Sequence, residues 1–175
     1  SSISLGYVGL HNTIVALTGE EFWQGNPGHV QLSHDIMQYL ADFCTEVQPD
    51  FNTFVSLYST PSESLADRFE SIDEQRFGKI KGVTDRGYYE NSFHFPSYQE
   101  TDPFSKIAFE APYSKIAVGG FMHFVETPSL LTNPKAFEQI WDEAFTKVPY
   151  FGVNSPNDKC FECGFEGEFS ANKRG

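Results

Sequence analysis

The sequence predicts an α/β fold in which a largely parallel sheet is covered by helices. Short apolar runs typical of buried strands alternate with segments whose apolar residues recur at helical spacing. Helices that separate consecutive strands favour right-handed crossovers, which make neighbouring strands parallel. The chain has 175 residues, of which 39% are hydrophobic, and this is enough for one domain with a substantial core.

The first half of the chain is predicted to form two strands and two helices. Residues 3–8 are an apolar run typical of a strand, and apolar residues at helical spacing follow from Leu10 until Gly19. A long amphipathic helix comes next and ends before Pro49. Its predicted apolar face consists of Leu32, Ile36, Leu40, Phe43 and Val47. Residues 51–59 then have the character of a buried strand.

The second half continues the alternation. Residues 60–78 predict a helix directly after the strand, and Leu65, Phe69 and Ile72 share a stripe on it. A further strand is predicted within 119–126. A helix follows over 133–148, with Asn133 as its N-cap and proline at its first position. The last predicted strand is 149–154.

The segment from Gly78 to Pro112 departs from this pattern. It mixes aromatic residues with turn-forming residues and has no sustained period of either kind. A stretch of this length is either disordered or a functional loop, and its aromatic content favours a functional loop. In α/β sheets such loops lie at the carboxyl ends of the strands, where ligands bind.

The composition argues against several classes of function. The net charge is −12 and long basic runs are absent, which disfavours a surface for duplex nucleic acid or for an anionic membrane. No apolar stretch has the length of a membrane-spanning helix, and no basic segment precedes the first apolar residues. Three cysteines fit a reducing compartment better than a disulfide framework. These features predict a cytoplasmic protein, with Cys44 as a small buried side chain.

The turn after the strand at 51–59 allows two interpretations. Thr60 to Glu63 have the pattern of a capping box. In such a box the Thr60 hydroxyl would accept a hydrogen bond from the Glu63 amide, and the Glu63 carboxylate would accept one from the Thr60 amide. Such caps are common, and a cap alone accounts for these residues. Alternatively, a helix that begins at the end of a strand presents free amides and a positive dipole end to a bound phosphate.

The phosphate interpretation assigns different roles to the side chains of this turn. A carboxylate folded onto the helix start would repel a phosphate, so Ser62, Ser64 and backbone amides would bind the anion instead. Glu63 would then be free for chemistry. Tyr58 lies on the strand and would bring its phenol to the same end of the sheet. A tyrosine and a glutamate in one pocket can donate and accept protons.

Six segments carry a resemblance to a known family. In chain order they are "LGYVGLHNT", "SLYSTPSESLADRF", "GVTDRGYYENSFH", "FEAPY", "VGGFMHFVE" and "VPYFGVNSPNDKCFECGFEGEF". Together they resemble the C-terminal part of the catalytic subunit of anaerobic ribonucleoside-triphosphate reductases, which are glycyl-radical enzymes. The resemblance covers nearly the whole chain. Six motifs in order are far more specific than a lone Cys-x-x-Cys pair.

The resemblance implies a fold and a metal site. The family fold is a ten-stranded α/β barrel, and residues 1–156 would form its last strands and helices. In the family, the pair that matches Cys160 and Cys163 is followed by a second Cys-x-x-Cys, and the four thiolates bind one zinc. Residues 157–175 would be the first half of this zinc ribbon, before the loop whose glycine holds the radical. We therefore expect a fragment of the enzyme that is inactive alone, with its last fifteen or so residues loosely held.

The resemblance also implies a reaction. Family members reduce ribonucleoside triphosphates to deoxyribonucleoside triphosphates for DNA synthesis, with formate as the usual reductant. A glycyl radical generates a cysteine thiyl, which takes the 3′ hydrogen of the ribose before water leaves from C2′. The active-site tyrosine and glutamate of the family match Tyr58 and Glu63, and the phosphate end of the site matches Thr60, Ser62 and Ser64. The family enzymes are homodimers under nucleotide control, and a radical-SAM iron–sulfur activase installs the radical.

Two alternative functions stay open at this point. The first is a non-catalytic α/β binding module whose terminal zinc ribbon binds a partner, and it predicts stoichiometric zinc in the isolated chain. The second is a thiol redox protein that uses Cys160 and Cys163 as a dithiol. Such motifs begin a helix, whereas here the flanking segments indicate strand and loop, and Glu162 would oppose a lowered thiol pKa.

Other candidate residues have simpler explanations. The five histidines have no spacing typical of a metal site. Gly119 and Gly120 indicate either a tight bend or a close approach of the backbone to a ligand. Asn91 and His94 belong to the aromatic loop, where turn formation and packing account for them. Asn91 and His94 are therefore not part of the predicted site.

Overall fold

The structure is a computed structural model that describes residues 2–128, 130, 133–155, 158–164 and 166–167. Its helices are α1 (Leu10–Thr18), α2 (Pro27–Glu46), α3 (Gln48–Phe51), α4 (Glu63–Phe77), α5 (Pro103–Ser114) and α6 (Pro134–Lys147). Its strands are β1 (Ser2–Tyr7), β2 (Phe54–Ser59), β3 (His123–Glu126), β4 (Phe151–Asn154), β5 (Asp158–Lys159) and β6 (Glu166–Gly167). No helix in the described part of the chain is both long and apolar enough to cross a membrane.

The strands form two parallel pairs and one short antiparallel pair. β1 pairs with β2 from Ser2 opposite Phe54 to Tyr7 opposite Ser59, and β3 pairs with β4 in parallel as well. β5 and β6 form an antiparallel pair. Because a helix lies between the strands of each parallel pair, the predicted α/β alternation is confirmed at these elements.

Gly119 and Gly120 connect the two parallel pairs. The Gly119 amide donates to the Leu57 carbonyl oxygen at 2.8 Å, and the Ser59 amide donates to the Gly120 carbonyl oxygen at 3.0 Å. A Cβ atom at Gly119 would lie 2.6 Å from the Leu57 carbonyl oxygen, which is closer than two such atoms can approach. The close approach that these glycines permit is therefore to strand β2.

The buried face of α2 overlaps the predicted one but extends beyond it. Leu32, Ile36, Leu40 and Val47 pack against the core as predicted, whereas Phe43 is 45% exposed. The most deeply buried residues, Ser33, Met37 and Cys44, lie beside the predicted stripe. Ser33 is tolerated there because its hydroxyl lies 2.5 Å from that of Tyr113. The prediction for Cys44 is confirmed, and burial raises the pKa of its thiol.

The apolar stripe of α4 points outward rather than into the core. Leu65 is 39% exposed and Phe69 is 43% exposed, while Ala66 and Glu70 form the buried face. This orientation is fixed by the loop that follows the helix, since the Tyr89 amide donates to the Ala66 carbonyl oxygen at 3.3 Å.

Helix α5 lies partly within the segment predicted as a loop. Its N-cap is Asp102, whose Oδ1 accepts from the Phe104 and Ser105 amides at 3.0 Å each. The local signal was present in the sequence, because an acidic N-cap followed by proline is a helix start. Ile107 and Tyr113 on this helix are fully buried. The long loop is therefore shorter than predicted and ends at Asp102.

Candidate active site

The carboxyl ends of β1 and β2 lie side by side, and α1 and α4 begin just beyond them. One short segment of the aromatic loop lies across both helix starts. The Gly9 amide donates to the Glu90 carbonyl oxygen at 2.8 Å, and the Ser62 amide donates to Oδ1 of Asn91 at 3.2 Å. The expectation that this loop borders the carboxyl ends of the strands is therefore met at these contacts.

The predicted capping box is wrong. Helix α4 begins at Glu63, its N-cap is Ser62, and the Ser62 side chain makes no capping hydrogen bond. The Thr60 hydroxyl faces its own turn instead, with Oγ1 3.5 Å from the Tyr58 carbonyl oxygen. The physical reason is that the Ser62 amide donates to Oδ1 of Asn91, which is distant in the sequence. The N-cap therefore lies at Ser62, two residues after the predicted N-cap at Thr60.

The uncapped start of α4 leaves several donors available. Oγ of Ser62 is buried and has no hydrogen-bond partner among the described residues. No described side chain accepts a hydrogen bond from the amides of Ser64 or Leu65, which belong to the first turn of the helix. Free amides, a hydroxyl and the positive end of a helix dipole together favour an anion at this position.

Tyr58 lies near the end of β2, and Glu63 lies at this helix start. The Tyr58 side chain is partly buried, and its ring covers Gly120, where a Cβ atom would lie 3.2 Å from Cε2 of the ring. Glu63 is the first residue of α4, and the structure describes its backbone alone. Tyr58, Thr60, Ser62 and Ser64 thus belong to one strand end and one helix start, as the sequence predicted.

A buried carboxylate supports the loop from below. Oε1 of Glu110 accepts from the Phe95 amide at 2.8 Å, and Oε2 lies 2.6 Å from Nδ1 of His123 and 3.3 Å from Nδ1 of His94. Burial opposes ionisation of Glu110, but the close contacts with the imidazoles of His123 and His94 outweigh it and lower its pKa to about 2. Glu110 is therefore an anion that joins α5, β3 and the loop.

A second histidine network fixes the other side of the loop. Nδ1 of His11 accepts from Nε1 of Trp23 at 2.8 Å, and its Nε2 lies 3.0 Å from the Tyr98 hydroxyl. An indole nitrogen only donates, so the imidazole is neutral with its proton on Nε2. Burial, followed by the charge of Arg86, lowers the pKa of His11 to about 4. This histidine has a structural role.

The cysteine pair lies in the turn between β5 and β6. The Gly164 amide donates to the Cys160 carbonyl oxygen at 2.8 Å, and Gly164 has a φ of +73°. The neighbouring backbone amides of Cys163 and Glu162 lower the pKa of the Cys160 thiol. The expected opposition from Glu162 is thus wrong for Cys160, because the Glu162 amide acts on the sulfur. Within the described residues, no three His, Cys, Asp or Glu side chains are placed to hold a metal.

Comparison with known proteins decides the family. The family model described as anaerobic ribonucleoside-triphosphate reductase matches residues 1–173. The chain belongs to this family. It is 45% identical over 175 residues to the anaerobic ribonucleoside-triphosphate reductase of Escherichia coli K12 and 39% identical to that of enterobacteria phage T4. These alignments cover 100% of the chain and 25% and 27% of the two relatives.

Solved structures support the fold. One anaerobic ribonucleotide reductase matches with a TM-score of 0.73 at 17% identity, covering 95% of this chain and 26% of that one. The Thermotoga maritima enzyme with dATP bound in the specificity site matches with a TM-score of 0.71 at 19% identity, covering 95% and 28% of the two chains. With the parallel pairs and their helices, these matches confirm a segment of the reductase α/β barrel. The chain spans about a quarter of the length of these relatives.

Two further predictions from the sequence of this reductase segment concern residues left out of the site and the attachment of the final residues. Asn91 and His94 were left out of the predicted site; Asn91 accepts from the Ser62 amide, and His94 contacts Glu110. No local pattern could reveal Asn91, because its partner lies 29 residues away in the sequence. The predicted loose attachment of the final fifteen or so residues falls mainly outside the described residues.

Proposed function

We propose that this segment forms the phosphate end of the substrate site, and supplies two proton-transferring side chains, in an anaerobic ribonucleoside-triphosphate reductase. The reaction would convert ribonucleoside triphosphates to deoxyribonucleoside triphosphates. The observation that carries the proposal is the start of α4, where a buried hydroxyl that has no partner among the described residues lies beside backbone amides without a described side-chain acceptor, at the carboxyl edge of the strands.

The triphosphate would bind at Thr60, Ser62 and Ser64. Hydrogen bonds to charged groups contribute about 1.5–3 kcal/mol each, and the helix dipole adds to them. The Ser62 hydroxyl is the strongest candidate because it has already lost its contact with water and has no partner in the described part of the chain. The ribose would then lie towards Tyr58 and Glu63.

Tyr58 and Glu63 would handle protons during the loss of water from C2′. A departing hydroxyl group needs a proton, and a carboxyl or phenol within hydrogen-bond distance can supply it. When present, the family's glycyl and thiyl radicals supply hydrogen-atom abstraction at C3′. The residues of this segment bind the substrate, orient its ribose and transfer protons.

Cys160 and Cys163 would provide two of the four thiolates of a structural zinc site. Their position in a hairpin turn suits this role, since the amides of Cys163 and Glu162 stabilise a thiolate at Cys160. Gly164 in the left-handed conformation closes the turn. On this proposal residues 1–156 belong to the barrel and residues 157–175 to the zinc-binding region.

The remaining partners follow from family membership. Formate would be the reductant, a radical-SAM iron–sulfur activase would install the radical, and the protein would act as a cytoplasmic homodimer under allosteric control by nucleotides. A solved structure of the Thermotoga maritima enzyme in complex with dATP and CTP shows that a fold relative binds nucleotides.

An anaerobic reduction assay tests the function. A full-length reductase that carries this segment, activated until its radical is visible by electron paramagnetic resonance, is expected to form deoxyribonucleoside triphosphate from ribonucleoside triphosphate. Ser62→Ala is expected to raise KM about tenfold, because it removes one hydrogen bond to a charged phosphate. The exposed Ser71 lies on the same helix, and Ser71→Ala is the matched control with unchanged KM. Absence of deoxy product from the radical-bearing wild-type protein would refute the proposal.

A further inference from the structure

The start of α4 is held by a side chain from a distant part of the chain. Oδ1 of Asn91 accepts from the Ser62 amide at 3.2 Å, in place of the local side-chain cap that the helix lacks. This bond occupies the backbone amide of Ser62, while the Ser62 hydroxyl has no partner in the part of the chain that the structure describes. The amides of the first helical turn also stay free of side-chain acceptors among the described residues. Asn91 therefore holds the turn in place without occupying its other hydrogen-bond donors.

Asn91 is itself held in a constrained turn. The His94 amide donates to the Asn91 carbonyl oxygen at 2.9 Å, which closes a turn over these four residues. Ser92 within it has a φ of +38°, although it carries a side chain, and it is 1% exposed. Such a backbone conformation persists only where the surrounding structure enforces it. This turn thus fixes the backbone of Asn91, and the bond to the Ser62 amide orients its side chain.

The turn is attached to the barrel segment through Glu110. The carboxylate of Glu110 accepts from the Phe95 amide and lies within 3.3 Å of His94, so it binds the residues directly after the turn. The same carboxylate contacts His123 at the start of β3. A continuous series of hydrogen bonds and carboxylate–imidazole contacts therefore runs from β3 through Glu110 and Asn91 to the start of α4.

We infer that Asn91 is a positioning residue that sets the phosphate-binding geometry of the turn before α4. The inference rests on the proposed function, because it assumes that this turn receives the triphosphate. Without the acceptor on Asn91, the Ser62 amide is free to rotate and the turn can adopt the local cap that its sequence favours. Such a cap would place the Glu63 carboxylate at the helix start, where its charge would repel the phosphate.

The test compares a triphosphate with its nucleoside in the full-length reductase. Asn91→Leu keeps the size of the side chain and removes the acceptor. The affinity for a ribonucleoside triphosphate, measured by isothermal titration calorimetry, is expected to fall about tenfold. This factor corresponds to the loss of one hydrogen bond between the displaced turn and the charged phosphate. The affinity for the corresponding ribonucleoside, which has no phosphate, is expected to stay unchanged. A residue with a purely structural role would not separate the two ligands.

Ser97→Ala is the matched control in the same loop. The described hydrogen bonds of the Ser97 hydroxyl go to Glu90 and Tyr88 and not to α4, so both affinities are expected to match the wild type. Equal loss of both ligands in Asn91→Leu, no loss of either, or failure of the variant to fold would each overturn the inference. If the wild-type reductase itself binds no ribonucleoside triphosphate, the proposed function fails instead.

Discussion

Glu63→Gln in a full-length reductase that carries this segment is expected to lower kcat by about 100-fold or more, while the Kd for ribonucleoside triphosphate changes little. General acid–base groups typically contribute factors of about 100 to 10,000 to a rate. Glutamine keeps the size and hydrogen-bonding atoms of the side chain but cannot transfer a proton. Single-turnover kinetics and equilibrium binding measure the two quantities separately.

Glu74→Gln is the control for this change, because Glu74 lies on the same helix and its side chain is 35% exposed. Its Oε1 lies 3.6 Å from Nζ of Lys79. We expect wild-type turnover from it. Equal losses of turnover and affinity in Glu63→Gln would mean that Glu63 acts as a cap or a binding group. They would thereby remove the proton-transfer role from the proposed function.

Glu110→Gln is expected to destabilise the folded protein by about 3 kcal/mol at neutral pH. The two histidines lower the pKa of Glu110 from 4.5 to about 2, and each unit of pKa corresponds to about 1.4 kcal/mol. Glutamine keeps an acceptor for the Phe95 amide, so the loss reports on the charge. Urea denaturation measures the change in the free energy of unfolding.

The pH dependence gives a second test of the same residue. Because the pKa of Glu110 is lower in the folded state, its contribution is complete above pH 4.5 and is lost as the pH falls towards 2. This acid-induced loss should be absent in Glu110→Gln. Glu126→Gln is the control, since Glu126 pairs with Lys106 on the surface, and surface pairs contribute only about 0–1 kcal/mol. A Glu110→Gln variant as stable as the control would show that the buried contacts contribute no net stability.

Local patterns in the sequence predicted most of the elements because their determinants are local. Asn133 caps α6 by accepting from the Ala136 amide at 3.3 Å, as the Asn-Pro pair predicted. The strands at β1, β2 and β4 followed from short apolar runs. The buried face of α2 was harder to predict, because the hydroxyl of Ser33 finds its partner on Tyr113, 80 residues further on.

The candidate site also combines local features, which the sequence predicts, with long-range contacts, which it does not. The sequence located the turn between β2 and α4 correctly, since a strand followed at once by a helix is a local signal. It did not reveal how the turn is held, because the Asn91 bond and the Glu110 contacts join residues that only the folded chain brings together. The capping-box pattern is therefore present in the sequence and unused in the structure.

A crystal structure of a full-length reductase carrying this segment, with a bound ribonucleoside triphosphate, tests the proposed phosphate site most directly. We expect phosphate oxygens within hydrogen-bond distance, about 2.7–3.2 Å, of the Ser64 amide and close to the Ser62 hydroxyl, with Asn91 still bonded to the Ser62 amide. A substrate whose phosphates lie away from the start of α4, with Thr60 and Glu63 forming the capping box, would contradict the proposal.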